Sequence, residues 1–338
     1  MFPKLKFTKE QIEDYYSKVT PDMARTSLAA DRPTYFDLLN LLSPAAAQPE
    51  FREALRETAM KARRRYYGKT VSIFAPLYIS NTCVNSCRYC DFNITHHAER
   101  KILTLDEIRM ECDAIRKHGI DSLLIVAGED PKHMTVDYLC EVGRMLKDTF
   151  SCLSLEVAPQ EEDAYRKLFE AGYESLICFQ ETYEKDLYKY LHPAGPKSVY
   201  DFRVWTQLRA GKAGFRTLGI AFLLGLAPWR IEAASLGAHA FYLMKECYRS
   251  RIQFAFPRIT PMSGGFQPEH PVNEEDLELM MLVFRIVFPE CGMTVSTRED
   301  PEFRDRIVQT AADNMSAGSR VTPGGYAVLA DKDVAQFT

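Results

Sequence analysis

The sequence lacks any apolar run long enough to cross a membrane. Its longest apolar stretch, residues 218–229, is interrupted by glycine, whereas a membrane helix needs ~20 mostly apolar residues. Basic residues are not in excess, since 42 Lys and Arg stand against 46 Asp and Glu, and this balance argues against a nucleic-acid-binding surface. The N-terminal segment contains no apolar core of a secretory signal. These absences predict a cytoplasmic protein without membrane or nucleic-acid partners.

Paired ligands of an ordinary zinc site are also missing. The chain has 9 cysteines, but no second C-x₂-C pair and no H-x₃-H pair follows, and zinc sites use such spacings. His96 and His97 are adjacent, which is not a ligand spacing. The cysteines that occur singly are expected to be free, buried thiols in a reducing compartment; they are Cys112, Cys140, Cys152, Cys178, Cys247 and Cys291.

The remaining cysteines, Cys83, Cys87 and Cys90, lie together in a C-x₃-C-x₂-C pattern. Three thiolates so close in sequence can hold three irons of one 4Fe–4S cluster, which normally takes four cysteines. The fourth iron would then be open to a small molecule. With the aromatic Tyr89 directly before the last cysteine, the pattern resembles that of the radical S-adenosylmethionine (SAM) superfamily, in which the open iron binds SAM. Half of a zinc site is the alternative interpretation.

Short apolar segments of strand length alternate with amphipathic segments of helix length from Val71 onward. Repeated units of this kind predict a parallel sheet, and eight of them close into a (β/α)₈ barrel of the TIM type. The predicted strands are 71–79, 122–126, 152–157, 175–179, 217–223, 251–256, 293–296 and 313–315. The predicted helices between them are 105–117, 136–147, 161–170, 199–213, 231–248, 274–288 and 301–309.

The predicted organisation has three parts. Residues 1–68 form an N-terminal helical extension with helices at 8–18, 34–42 and 48–67, residues 69–326 form the barrel, and residues 327–338 form a C-terminal tail. The three clustered cysteines follow the first predicted strand directly. Ligand sites of such barrels lie at the C-terminal ends of the strands, so the motif falls where the fold predicts a site.

Four further residues near strand ends are candidates for binding the cofactor. Gly128 and Glu129 follow the second strand and resemble the GGE element that contacts the SAM amino group, with Ala127 in place of the first glycine. Glu156 ends the third strand, where a carboxylate inside an apolar segment needs a partner; the ribose of SAM, a substrate or a structural ion pair would serve. Gly219 could admit an adenine against the backbone, or serve packing alone.

Six residues are candidates for binding a substrate. A guanidinium at the barrel mouth matches a carboxylate in bidentate fashion, and either of the two arginines could instead form an ion pair with Glu299 or Glu181. The polar and glycine-rich segments after the fourth and last strands supply the other four. The set is Gln180, Glu181, Arg258, Arg298, Ser316 and Ser319.

Several motifs in order resemble the 2-iminoacetate synthases, the tyrosine lyases of thiamine thiazole biosynthesis. The resemblance runs from about Leu41 to Tyr326. It includes the segments 75–80, 180–183, 192–197, 223–226, 296–299, 316–319 and 323–326, in addition to the cysteines. It implies a radical SAM lyase that takes a hydrogen from the amino group of L-tyrosine and breaks the Cα–Cβ bond to give 2-iminoacetate and p-cresol.

The resemblance also implies roles and partners. Glu129 would bind the SAM ammonium, and Arg298 would bind the tyrosine carboxylate. A reduced flavodoxin- or ferredoxin-type protein would donate electrons, and thiazole synthase is a further expected partner.

One departure from the family pattern leaves alternatives open. Thr260 stands where the family usually has a second arginine after the sixth strand, so another aromatic amino acid, as in a tryptophan lyase, is an alternative substrate. A hydrogenase-maturation tyrosine lyase would carry a second cluster on a C-terminal extension, whereas this sequence has no cysteine after Cys291. The non-enzymatic alternative is a zinc-stabilised or degenerate barrel that acts as a binding partner.

Overall fold

Eight parallel strands form a closed barrel in the computed structural model, which describes residues 7–96, 99–259 and 265–327. The strands follow one another around the ring, and pairing of the first with the last closes it. They are β1 (Ser72–Ser80), β2 (Ser122–Ala127), β3 (Cys152–Glu156), β4 (Ser175–Ile177), β5 (Thr217–Ile220), β6 (Arg251–Ala255), β7 (Gly292–Val295) and β8 (Asn314–Ser316). The predicted (β/α)₈ barrel is therefore confirmed.

Helices cover the outside of the barrel and precede its first strand. Ahead of β1 lie α1 (Lys9–Lys18), α2 (Pro21–Leu28), α3 (Tyr35–Leu42) and α4 (Pro49–Tyr67). The others are α5 (Leu105–Lys117), α6 (Val136–Leu146), α7 (Glu162–Glu170), α8 (Lys185–Leu191), α9 (Tyr200–Val204), α10 (Thr206–Ala213), α11 (Trp229–Glu246), α12 (Glu274–Val287) and α13 (Pro301–Thr310). Within the described ranges, no helix has the length and apolar character of a membrane span.

Side chains of the strands alternate between the helices and the lumen, as the period of a strand requires. Leu77 and Ile79 of β1 are fully buried in the main core beneath the helices. Tyr78 between them belongs to a separate cluster with Leu124 and Val126 of β2, and Cys83 and Cys90 pack against that cluster. The cysteine loop therefore lies over the carboxyl ends of the first two strands.

Three local elements differ from the sequence-based expectation. The predicted helix 199–213 is two helices that meet at Trp205, and two further helices, α2 and α8, were not predicted. The start of α2 does carry a recognisable signal, since the Thr20 side chain caps the helix and Pro21 occupies its first turn. By contrast, α8 has only seven residues and no side-chain cap, so its sequence gives no comparable signal.

A buried charge network locks the amino-terminal end of the barrel. The guanidinium of Arg285 on α12 is fully buried and pairs with Asp313 before β8 at 2.5 Å. Its other N–H groups donate to the carbonyls of Ala311, Pro289 and Cys291. Each of the three guanidinium nitrogens thus has an acceptor, as a buried charge requires. The carboxyl ends of the strands are left for chemistry.

Candidate active site

The cysteine loop is held on both sides by neighbouring strand ends. The Val84 N–H donates to the Glu129 carbonyl at 2.9 Å, and the Ser86 N–H donates to the Ala194 carbonyl at 3.2 Å. All three cysteines of the loop are free thiols; Cys87 is buried, and Cys83 and Cys90 are half-buried. The loop after β1 therefore spans the gap between the segments that follow β2 and β4.

The three cysteines offer the thiolate ligands that iron–sulfur clusters use. Burial raises the pKa of the Cys87 thiol to about 12, and the charge of Lys197 acts against that rise. A metal binds the thiolate and displaces the proton, so a cluster held here would take Cys87 in its deprotonated form. In the described part of the chain, no three His, Cys, Asp or Glu side chains group around one metal-ion position. The thiolates of a cluster bind separate irons and need no such convergence.

Gly128 and Glu129 lie directly against the cysteine loop. A Cβ added to Gly128 would stand 2.2 Å from the Thr82 carbonyl oxygen and 3.2 Å from the Cys83 Cβ. Only glycine permits this approach of the two backbones. The Glu129 carboxylate accepts a hydrogen bond of 2.6 Å from the Asn85 side chain, so it faces the cysteine loop. Its predicted role in binding the SAM ammonium group stays a prediction.

Asn85 connects three parts of the site and was not predicted from the sequence. Its amide nitrogen donates to Glu129 and lies 3.6 Å from the Cys83 sulfur. Its amide oxygen accepts a hydrogen bond of 2.9 Å from the Lys197 N–H. Gly195 has a φ of 94°, and a Cβ there would stand 2.3 Å from the same oxygen. Both functional groups of the buried Asn85 side chain are therefore used to fix the loop.

Glu181 is the centre of a buried charge network beside the cysteines. Lys197 Nζ lies 2.7 Å from its carboxylate and Arg203 lies 3.5 Å away. Burial would raise the pKa of Glu181, but the two cations outweigh it and hold that pKa below the usual value. Glu181 also has a φ of 71°, which is strained for a residue other than glycine and is typical of functional sites.

Tyr89, the aromatic residue of the cysteine motif, is buried and bound to His192. The Nδ1–H of His192 donates to the Tyr188 carbonyl at 2.7 Å, so its Nε2 accepts from the Tyr89 hydroxyl at 2.6 Å. Burial lowers the pKa of His192 to about 3, with Lys197 acting in the same direction, and the imidazole is neutral at pH 7. Lys197 Nζ lies 5.5 Å from the centre of the Tyr89 ring, within cation–π range.

The side-chain amide of Gln180 is buried without a hydrogen-bond partner among the described residues. Both its oxygen and its nitrogen are inaccessible and unpaired, although its backbone N–H is bound to the Ala221 carbonyl. Unpaired buried amides are costly and are therefore expected to meet a ligand. Behind it, Glu232 of α11 accepts from the Thr182 hydroxyl and the Tyr183 N–H, both at 2.9 Å, and this contact fixes the turn.

Glu156 and Arg298, two of the predicted ligands, influence each other electrostatically. The charges of both act on the hydroxyl of Tyr78, and the charge of Arg298 also acts on Glu156. Glu156 lies deep within the barrel, where its side chain is partly accessible from the lumen, and Arg298 is exposed. Burial raises the pKa of Glu156 to about 7, with Glu181 acting in the same direction and Arg203, Arg298 and Lys197 opposing.

Other predicted ligands are engaged with protein groups. Arg258 forms a bidentate pair with Glu299, in which Nε is 3.0 Å from one oxygen and the second contact is shorter. This is the ion pair that the sequence left as the alternative. Ser316 and Ser319 both bond to the Thr297 hydroxyl, at 3.3 and 3.0 Å. Roles for these three in binding substrate stay predictions.

Gly219 lies in the barrel wall, where the Ile177 side chain fills the space beside it. A Cβ on Gly219 would stand 2.2 Å from the Ile177 Cδ1 atom. This contact favours the packing interpretation over an open adenine surface. Thr260, whose identity weakens the substrate assignment, lies outside the described residues, as do His97 and the predicted tail beyond Ala327.

Comparisons with known proteins identify the family of this chain. A family model described as the Radical SAM superfamily matches residues 77–235, and one described as the Biotin and Thiamin Synthesis associated domain matches residues 255–337. The 2-iminoacetate synthase of Salmonella typhimurium is 38% identical over 292 residues, 86% of this chain and 77% of that protein. The chain belongs to the 2-iminoacetate synthase family. The Escherichia coli enzyme of the same name is 37% identical over 92% of this chain and 82% of its own length.

Solved structures agree with the placement in this family. HydG, a maturase of the FeFe-hydrogenase, superposes with a TM-score of 0.90 and 30% identity, covering 98% of this chain and 75% of that chain. Methylornithine synthase superposes with a TM-score of 0.70 over 94% of this chain and 92% of its own, at 21% identity. The second likeness shows the fold alone. The match to the Radical SAM superfamily includes the cysteine loop, and it favours the radical SAM interpretation of that loop over half of a zinc site.

We expect Gly128→Ala to impair cluster assembly. The added methyl group overlaps the Thr82 carbonyl, so the cysteine loop must move away from β2. Iron and sulfide measured after anaerobic reconstitution should fall to less than half of the wild-type content. Ala127→Gly, which changes the neighbouring residue to the usual family glycine, is the matched control and should keep its iron. Full iron content in Gly128→Ala would contradict the role given to this contact.

Proposed function

We propose that this chain is a 2-iminoacetate synthase, a radical SAM lyase that cleaves the Cα–Cβ bond of L-tyrosine. The products would be 2-iminoacetate and p-cresol, together with 5′-deoxyadenosine and methionine, and the first would serve thiamine thiazole biosynthesis. The observation that carries the proposal is the three-cysteine loop at the mouth of a closed barrel. The chain that contains it is 38% identical to a 2-iminoacetate synthase, over an alignment that covers 77% of that enzyme.

The chain offers groups for each part of the cofactor. Cys83, Cys87 and Cys90 would hold three irons of a 4Fe–4S cluster. SAM bound at the open iron would supply a 5′-deoxyadenosyl radical after one-electron reduction. Glu129, which Asn85 holds beside Cys83, is suited to the SAM ammonium group. Tyr89, fixed through its hydroxyl, forms part of the wall of the site.

The mouth of the barrel is suited to an amino-acid substrate. Arg298 is exposed at the mouth and is the arginine assigned to the tyrosine carboxylate, whereas Arg258 forms a bidentate pair with Glu299. The Gln180 amide, buried and unpaired, offers both a donor and an acceptor to a bound ligand. The wall of apolar side chains around Cys87 and Tyr89, which includes Leu191, Leu223 and Leu226, would exclude water from a reactive radical.

Two macromolecular partners belong to the proposal. A low-potential electron donor of the flavodoxin or ferredoxin type would reduce the cluster. Thiazole synthase would take up the imine, which hydrolyses readily in water. A cytoplasmic location is part of the same proposal, and the free cysteines support it.

An anaerobic turnover assay tests the function. Reconstituted, reduced protein incubated with SAM and L-tyrosine should form p-cresol, glyoxylate from hydrolysis of the imine, and 5′-deoxyadenosine. Cys87→Ala should abolish SAM cleavage, because the cluster loses a ligand. Parallel incubation with L-tryptophan tests the alternative that Thr260 left open. Turnover of tryptophan without p-cresol formation from tyrosine would overturn the substrate assignment.

Arg298→Ala should raise the KM for tyrosine. A hydrogen bond to a charged group is worth about 1.5–3 kcal/mol, so loss of the carboxylate contact corresponds to roughly a 10- to 150-fold weaker substrate complex. The matched variant Arg258→Gln removes the same charge from the mouth but breaks the pair with Glu299. It is expected to lower stability more than tyrosine affinity. A larger rise of KM in Arg258→Gln than in Arg298→Ala would reverse the assignment.

A further inference from the structure

The proposed reaction requires a base that the proposed function has not yet named. The ammonium group of tyrosine carries three hydrogens, whereas the neutral nitrogen of 2-iminoacetate carries one. One hydrogen leaves as an atom in the radical step. The remaining one must leave as a proton, and a proton acceptor must therefore stand beside the amino group of the bound substrate.

Most carboxylates around the mouth are already committed to other groups. Glu129 accepts from Asn85, Glu181 is paired with Lys197 and Arg203, and Glu299 is paired with Arg258. Asp130 is bound to His133 at 2.7 Å. Each of these four carboxylates therefore already has a protein partner.

Glu156 differs from all of these. No hydrogen bond or ion pair to its carboxylate is found among the described residues, and only longer-range charges act on it. It ends β3, half-exposed to the lumen, so a ligand in the barrel mouth can reach it. A carboxylate so enclosed without a partner is unfavourable, and an ammonium group would supply the missing charge.

Glu156 and Arg298 lie near the ends of strands on opposite sides of the barrel. Arg298 follows β7, and Glu156 ends β3, which is opposite β7 in a ring of eight strands. Although the two strands are opposite, the charge of Arg298 acts on Glu156 across the lumen. A ligand held between them would present its carboxylate to the guanidinium. Its ammonium group would then face the carboxylate of Glu156.

We propose that Glu156 binds the ammonium group of the substrate and takes the proton that must leave it. In this step an N–H bond breaks, its electron pair stays on nitrogen, and the proton forms an O–H bond with the carboxylate. No electron is transferred, and the proton later returns to water through the lumen. The ribose of SAM, which the sequence also allowed as a partner, is not the ligand in this assignment. The proposal rests on the proposed function.

The charged and titratable groups around Glu156 set the direction of its pH dependence. Burial is the largest influence, and it raises the pKa of Glu156 to about 7, with Glu181 adding to the rise. Arg203, Arg298 and Lys197 oppose it, and the neutral Tyr78 and Cys178 are the other titratable neighbours. Since only the carboxylate form accepts a proton, kcat/KM for tyrosine should rise about tenfold per pH unit below pH 7 and level off above it.

Substitutions at position 156 test the catalytic part. Glu156→Gln should lower p-cresol formation by about 10²- to 10⁴-fold, the usual contribution of a general base, and should lose the acidic limb of the pH profile. Glu156→Asp keeps the carboxylate and should recover part of the activity. Glu161→Gln, an exposed change at the start of α7, is the charge-matched control and should behave as wild type. Wild-type activity and an unchanged acidic limb in Glu156→Gln would overturn the proposal.

A binding measurement tests the contact without turnover. Calorimetry of tyrosine binding to the oxidised holoenzyme with SAM, in two buffers of different ionisation enthalpy at pH 7, counts the protons exchanged. Wild type should release protons, because the ammonium group displaces the proton of Glu156, and Glu156→Gln should release none. Equal release in both proteins would refute the contact. If wild type acts on another aromatic amino acid instead, the proposed function is wrong, and the same variants test Glu156 with that substrate.

Discussion

The side chain of Asn85 joins the cysteine loop to the two segments that flank it. One end of the amide holds Glu129 after β2, and the other end holds the backbone of Lys197 after β4. The same nitrogen lies 3.6 Å from the Cys83 sulfur. One buried residue therefore fixes Cys83, Glu129 and Lys197. The close approaches at Gly128 and Gly195 are what allow this arrangement.

The titratable groups around the mouth differ in their protonation, and this difference distinguishes groups that hold other residues in place from the group proposed to accept a proton. Glu181 is held ionised by Lys197 and Arg203, so it contributes a fixed charge beside the cysteines. His192 is held neutral by burial and fixes Tyr89 rather than exchanging protons. Glu156 alone among the carboxyls discussed here combines access to the lumen with a raised pKa. Neighbouring carboxyls with different environments can thus take different roles.

The barrel and the cysteine motif could be predicted from the sequence because both are local patterns. Strand and helix periods repeat along the chain, and the cysteines lie within eight consecutive residues. Asn85, His192 and Lys197 could not be assigned roles, because the contacts of Asn85 with Lys197 and of Tyr89 with His192 join segments about a hundred residues apart. The segment 192–197 was recognised as a motif, but only the fold shows that it lies over Tyr89. The sequence likewise allowed Arg258 either to bind substrate or to form an ion pair. The fold decides for the pair with Glu299, because it brings the loops after β6 and β7 into contact.

Electron paramagnetic resonance of the reduced cluster in Asn85→Ala, titrated with SAM, tests the central role of Asn85 most directly. The variant keeps all three cysteines, so its cluster should assemble and be reduced. Because a hydrogen bond to a charged group contributes about 1.5–3 kcal/mol, the spectral change that SAM causes should require roughly 10- to 150-fold more SAM than in wild type. An identical SAM dependence in the two proteins would contradict the account.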